Sequence, residues 1–173
     1  MTKAETKREE IANRLADFLL AEGLIGASLR PLAAAVGTSD RMLLYYFKDK
    51  EAILSAALQK VTARISDLLH SKVSSTPSSP DEVRSELLQL ISSEEFRPYM
   101  CVWLETAALS ARGDQFFRTI GAQIAAALQQ WIASRLAFPD PARRQATASR
   151  LLRAVEGEFV MRSFGISNHA EGG

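Results

Sequence analysis

The chain has one cysteine, two histidines, and no apolar run near the roughly 20 residues that a membrane span requires. A lone Cys101 excludes an internal disulfide, as expected of a protein kept in a reducing cytoplasm. His70 and His169 stand far apart, one near a helix end and one in the tail, so no Cys/His group has zinc-site spacing. No Gly-rich phosphate loop occurs, and the Ser-rich stretch 71–79 has the composition of a linker, not of a nucleophile elbow. These absences argue against an enzyme and predict neither cofactor nor metal. The opening run Met-Thr-Lys-Ala-Glu-Thr-Lys-Arg-Glu-Glu is charged and lacks the apolar core of a secretion signal, so a soluble, cytoplasmic protein with no membrane partner is expected.

An excess of charge is also missing. The formal net charge is +1, which by itself gives no sign of a nucleic-acid partner. In the first fifty residues Lys3, Lys7, Arg8, Arg14, Arg30, Arg41, Lys48 and Lys50 are nearly balanced by Glu5, Glu9, Glu10, Asp17, Glu22, Asp40 and Asp49. Position is more informative than total, because Arg30, Arg41, Lys48 and Lys50 fall within one short stretch. Such a local patch, helped by helix N-termini, suffices to hold phosphates.

Hydrophobic residues make up 47% of the 173, enough for a packed interior. Their spacing is helical throughout, with no alternating strand pattern and no internal repeat, so the fold class is all-α. Ile11, Leu15, Phe18 and Leu19 line one face of a helix over 4–22, which Gly23 ends. From Ser28 to Glu51 the chain reads as two short helices around a turn at Gly37, then the start of a third. Ser28 is placed to cap the first with its hydroxyl, and Pro31 falls in its first turn. Leu32, Ala33 and Val36 form its inner face, and Gly37 supplies the left-handed turn. Ser39 or Asp40 caps the second, whose inward side is expected to be Leu43, Leu44 and Phe47; Asp49 caps the third. Helices this short need neighbours. Packing the inner side leaves the outer side of the second helix to solvent or to a partner, which is the geometry of a helix-turn-helix unit.

The residues Ser28-x-Arg30-x-x-Ala33 … Val36-Gly37-Thr38-Ser39 … Leu43-x-Tyr45-Tyr46-Phe47-Lys48-x-Lys50-Glu51-x-x-Leu54 resemble the N-terminal domain of the tetracycline-repressor (TetR) family. Three positions depart from its usual pattern: Thr38 stands where Val is usual, Arg41 where a small residue is common, and Leu44 where a Tyr is common. The last two alter the groove-facing surface. The resemblance implies a helix-turn-helix DNA-binding domain over 1–48. It implies a helical ligand-binding and dimerisation domain over 49–173, with a long connecting helix 49–71 and a loop 72–80.

In a duplex groove, Ser39, Asp40, Arg41, Met42 and Tyr45 would face base edges. Arg41 has the fork to grip guanine O6 and N7, or it holds a phosphate instead. Met42 touches a thymine methyl or is a half-exposed filler. Ser28, Arg30, Tyr46, Lys48 and Lys50 would hold phosphates and fix register, and Lys3, Lys7 and Arg8 could graze the backbone or simply be solvated.

Downstream, Lys-Val-Ser-Ser-Thr-Pro-Ser-Ser-Pro over 72–80 is a loop, and helices are expected from Ser79–Asp81 to Ile91, within 94–111, from Asp114 to Ala137, and from Asp140 to Phe164. The tail from Gly165 is expected to fray. The apolar stripe Phe96, Tyr99, Met100, Trp103, Leu104, Ala107, Ala108 is core or the wall of a pocket. Ligand-binding candidates are Tyr99, Met100, Trp103, Leu104, Glu105, Phe116, Phe117 and Ile120. Glu105 is the one charge there that invites a partner. Small residues over 120–132, with Leu151, Leu152, Val155, Gly157 and Phe159, would let the last two helices build a four-helix bundle with a second copy, or pack within the chain. The reading is thus a homodimeric regulator on a double-stranded, palindromic operator, most simply a repressor released by an unidentified small apolar effector. The competing reading is a helix-turn-helix interaction module controlled by a protein partner.

Overall fold

The structure, a computed structural model, describes residues 2–73 and 75–166. His169 and the tail beyond Ile166 lie outside the described residues. Among those described there are eight helices: α1 (Lys3–Glu22), α2 (Leu29–Ala35), α3 (Asp40–Tyr46), α4 (Lys50–Lys72), α5 (Pro80–Ile91), α6 (Arg97–Ala111), α7 (Gln115–Ser134) and α8 (Pro141–Ser163). No strand forms among the described residues, and the extended segment at Ser78 makes a single parallel bridge to Leu136. The fold is all-α. It divides into two compact units, Met1–Leu68 with Pro98–Gln123, and Leu69–Arg97 with Ile124–Gly173. The first therefore holds more than the three N-terminal helices.

In this first unit, α1 starts with a reciprocal cap: Thr2 Oγ1 accepts from the Glu5 N–H at 3.2 Å, and the Thr2 N–H donates to the Glu5 carboxylate at 2.6 Å. The backbone bond from Thr2, then its side-chain bond, lowers the Glu5 pKa below the ordinary glutamate range. Of its expected apolar face, Ile11, Leu15 and Leu19 are buried while Phe18 is half-buried. They join Leu32, Leu43, Phe47, Ile53, Val102 and Phe117 in one cluster, to which each fully buried Leu or Phe contributes about 1.5–3 kcal/mol. The α4 helix is fastened along α1 by Arg64, which donates to Asp17 at 2.6 Å and to the Asn13 carbonyl at 3.1 Å, and by a Lys60–Glu9 ion pair. Those exposed pairs add little; the apolar seam beneath them carries the attachment.

In the second unit α5 starts where the sequence predicts, and it also opens with a reciprocal cap, between Ser79 and Glu82 with Pro80 as the first helical residue. The backbone and then the hydroxyl of Ser79 lower the Glu82 pKa. Val83, Leu87, Leu90 and Ile91 are buried on α5, which packs on α8. Asp140 caps α8 by accepting from the Ala142 N–H at 3.0 Å. Leu151, Val155 and Phe159, read as dimer face or internal core, are buried within the chain; Gly157 is open and Met161 exposed.

Candidate nucleic-acid interface

The α2–α3 pair is held by backbone before any side chain acts. The Gly37 N–H donates to Ala34 O and the Thr38 N–H to Ala33 O, both at 3.0 Å, and Gly37 takes the left-handed conformation at φ +68°. Arg14, reaching across from α1, donates to the carbonyls of Val36 at 2.9 Å and Ala35 at 3.2 Å. Its charge thereby meets the negative end of α2. Ser39 caps α3, accepting from the Met42 N–H at 3.3 Å, and Asp49 caps α4, accepting from the Ala52 N–H at 2.8 Å. Ser28 holds the N-cap position of α2, but its hydroxyl makes no capping bond. The Ser28 carbonyl still accepts from the Leu32 N–H, so α2 closes without it and the expected hydroxyl cap is corrected.

On α3, Leu43 and Phe47 are 0% and 1% exposed, while Leu44 is 39% exposed and does not point inward as expected. Positions four apart share a helix face and adjacent ones do not, so burying Leu43 and Phe47 carries Leu44 outward. The outer face holds Arg41, Met42 and Tyr45, the last 76% exposed; Ser39 is exposed and Asp40 half-buried. Tyr46 is half-buried against the core, its ring edge-on to Tyr45 at 5.4 Å. Ser28, Arg30, Lys48 and Lys50 are exposed, Lys50 at the positive end of a 23-residue helix. Of the N-terminal cations, Lys7 pairs with Glu10 at 2.9 Å, Arg8 lies over the Phe47 ring at 5.0 Å, and Lys3 is exposed.

The ligand candidates scatter in burial. Met100 and Phe117 are buried; Tyr99, Trp103, Leu104, Glu105, Phe116 and Ile120 are half-buried, Phe116 edge-on to Phe117 at 5.0 Å. Glu105 and Phe117 line a cleft of about 420 Å³ together with Leu24, Lys50, Leu54 and Arg112. The partner of Glu105 is the backbone. Its Oε2 accepts from the Leu24 N–H and from the Ile25 N–H, the latter at 3.1 Å, tying the α1–α2 turn to α6. Gly23 makes room for this, since a Cβ there would lie 2.5 Å from Glu105 Oε1, and its φ of +79° already disfavours a side chain. Gly23→Ala is accordingly expected to be less damaging in a Glu105→Ala background than in the native one. The non-additivity should be about 0.5–3 kcal/mol in denaturant melts of the four proteins. Strict additivity would show that the two residues do not meet.

Sequence reasoning passed over Arg14, and over Thr106, which is 2% exposed and donates to the Val102 carbonyl at 2.8 Å. It found Glu105 but not its partners. Among the described residues no group of side chains could hold a metal ion, and no helix is long and apolar enough to cross a membrane.

A short, capped helix with a buried inner side and an exposed Arg-Met-Tyr outer side, braced by two others, defines a helix-turn-helix protein. No protein-family profile matches the chain. It is 26% identical over 90 residues to the HTH-type transcriptional regulator BetI of Klebsiella pneumoniae (strain 342), covering 52% of this chain and 45% of that protein. The chain thus spans about half the length of this curated relative. Its fold superposes with a TM-score of 0.67 on a protein described as a TetR-family transcriptional regulator, from Rhodococcus sp., at 26% identity over 91% of this chain and 87% of that one. With the regulator SCO7518 from Streptomyces coelicolor A3(2) the TM-score is 0.73, at 22% identity over 95% and 91% of the two chains. In motif and in fold, the chain is similar to transcriptional regulators of the TetR type.

Proposed function

We propose that this protein is a cytoplasmic, sequence-specific DNA-binding repressor. It works as a homodimer on a palindromic operator and is released by a small apolar effector. The observation that carries the reading is the division of α3. Leu43 and Phe47 are sealed inside while Arg41, Met42 and Tyr45 stand in solvent on the opposite side. Exposing Tyr45 and Met42 together has no benefit for an isolated fold. Seated in a major groove, the same face puts a guanidinium, a thioether and a phenol on base edges. Ser28, Arg30, Tyr46, Lys48 and Lys50 then surround it for phosphates.

A single reading head needs a symmetric second copy to read a palindrome, with heads about 34–36 Å apart. The last two helices, α7 and α8, are the proposed dimer surface, using what α5 leaves uncovered. The effector would sit among Tyr99, Met100, Trp103, Leu104, Glu105, Phe116, Phe117 and Ile120, where apolar walls carry few polar groups. A coupling of about 1–3 kcal/mol between the two sites would change operator occupancy 5- to 150-fold.

Selection of bound sequences from random duplexes tests the reading. A palindromic consensus is the expected result, and enrichment of no sequence would refute it. Repeating the selection with Arg41→Ala should relax one position in each half-site, at a cost of about 1–3 kcal/mol for the preferred base.

A further inference from the structure

We propose that the second unit carries an anion-binding site, for a small molecule bearing adjacent phosphate groups, in the cleft between the beginnings of α5 and α8. This cleft has a volume of about 430 Å³ and is lined by Pro80, Arg84, Phe138, Arg143, Thr147, Arg150, Leu151 and Ala154. Three of these are arginines, and the lining includes no carboxylate. On a chain whose net charge is +1, three exposed arginines lining one cleft with no carboxylate among its walls point to an anion. Among the described residues none of the three forms an ion pair.

Three acids on or beside α5 and α8 have partners of their own. Glu82 is committed to the Ser79 cap, Asp140 accepts from the Ala142 N–H, and Glu158 pairs with Arg162 at 2.8 Å. Two of the arginines are already held in place. Arg143 lies over the Phe138 ring, 4.1 Å from its centroid, and Arg150 donates to Thr147 Oγ1 at 3.1 Å, on a threonine only 7% exposed. Ordering them beforehand lowers the entropic cost of binding. Arg84 is exposed and makes no hydrogen bond or ion pair among the described residues, so it can close on a ligand.

The chemistry selects the occupant. A guanidinium stays charged at any physiological pH and presents a fork that matches two oxygens of one anion. One carboxylate satisfies one such fork, whereas adjacent tetrahedral phosphates offer oxygens in several directions and can satisfy three at once. Both helices begin beside the cleft, Pro80 being the first residue of α5 and Arg143 lying in the first turn of α8; their dipoles add to the positive field, which Asp81 and Glu82 in the first turn of α5 and Asp140 at the cap of α8 partly offset. Leu151 and Ala154 add an apolar floor, which suits a phosphate carried on an organic body.

The site does not depend on the regulator reading and can be tested apart from it. The experiment is calorimetric titration of the full chain with inorganic pyrophosphate at constant ionic strength, with citrate and chloride as comparators. Saturable binding of one pyrophosphate per chain, tighter than citrate, is expected. Arg84→Gln should weaken it about tenfold without moving the melting temperature, because this side chain holds nothing in the fold. Arg143→Gln and Arg150→Gln should weaken it at least as much. Absence of saturable pyrophosphate binding would overturn the proposal. So would binding unchanged in Arg84→Gln, a preference for citrate, or a cleft that answers only to duplex DNA.

Discussion

Replacing Phe47 by alanine is expected to remove about 3–5 kcal/mol of stability, a large fraction of the about 5–15 kcal/mol that holds a domain folded. The ring is 1% exposed and belongs to the same buried cluster as Leu15, Leu32, Leu43 and Ile53. It lies where α3 passes into α4, so the cavity would open beneath α3 itself. Arg8 covers the ring from the other side, a contact worth about 0.5–1 kcal/mol that would be lost with it. The control is Leu44→Ala, a similar deletion on the same helix at a position 39% exposed, expected to shift stability by no more than about 0.5 kcal/mol. Denaturant midpoints of the two variants decide the matter. Comparable losses in both would mean that the inner and outer sides of α3 have been assigned wrongly, and with them the proposed groove-facing surface.

That comparison also marks where sequence was informative. Helix positions were legible because each depends on local chemistry: Ser79 starts α5, Asp140 and Pro141 start α8, and Gly23 and Gly37 end α1 and turn the chain. The orientation of α3 was only partly legible. A seven-residue helix has too few turns for its apolar period to separate Leu43 from Leu44, and both look like core until α1 and α4 are in place. Ser28 has the residue type and backbone of a cap, yet nothing local could say that its hydroxyl would stay unused.

Contacts distant in the chain left no sequence signal at all. Glu105 meets the backbone of Leu24 and Ile25, and Arg14 meets that of Ala35 and Val36. A backbone partner has no residue identity to read, so neither could be inferred from composition or spacing. The apolar stripe of α6 was misleading in a different way. Its mean character is hydrophobic, yet Ala107 and Ala108 are exposed while Val102 and Thr106 are buried, because small and polar residues follow the face set by the neighbours. The first compact unit shows the same limit, since Pro98–Gln123 joins the N-terminal helices through contacts that no linker composition announces.

Operator binding is expected to weaken about a thousandfold when salt rises from about 50 to 200 mM, if each head of a dimer sets Arg30, Lys48 and Lys50 on phosphates. The arithmetic is direct: about six neutralised phosphates give a slope near −5.4 in log K against log salt, and a fourfold rise in salt spans about 0.6 of a decade. Lys50→Ala deletes one contact per head, so the slope should become shallower by roughly 1.8, with affinity for every duplex falling alike. The same measurement resolves the two roles open to Arg41. If its guanidinium grips a base, Arg41→Ala leaves the slope nearly unchanged and flattens preference at one position. If it holds a phosphate, the variant repeats the Lys50→Ala result and preference survives. A slope indifferent to both substitutions, with base preference unchanged at every position, would remove the outer side of α3 and the start of α4 from the duplex altogether. The exposed Arg-Met-Tyr face would then need a protein surface to cover it.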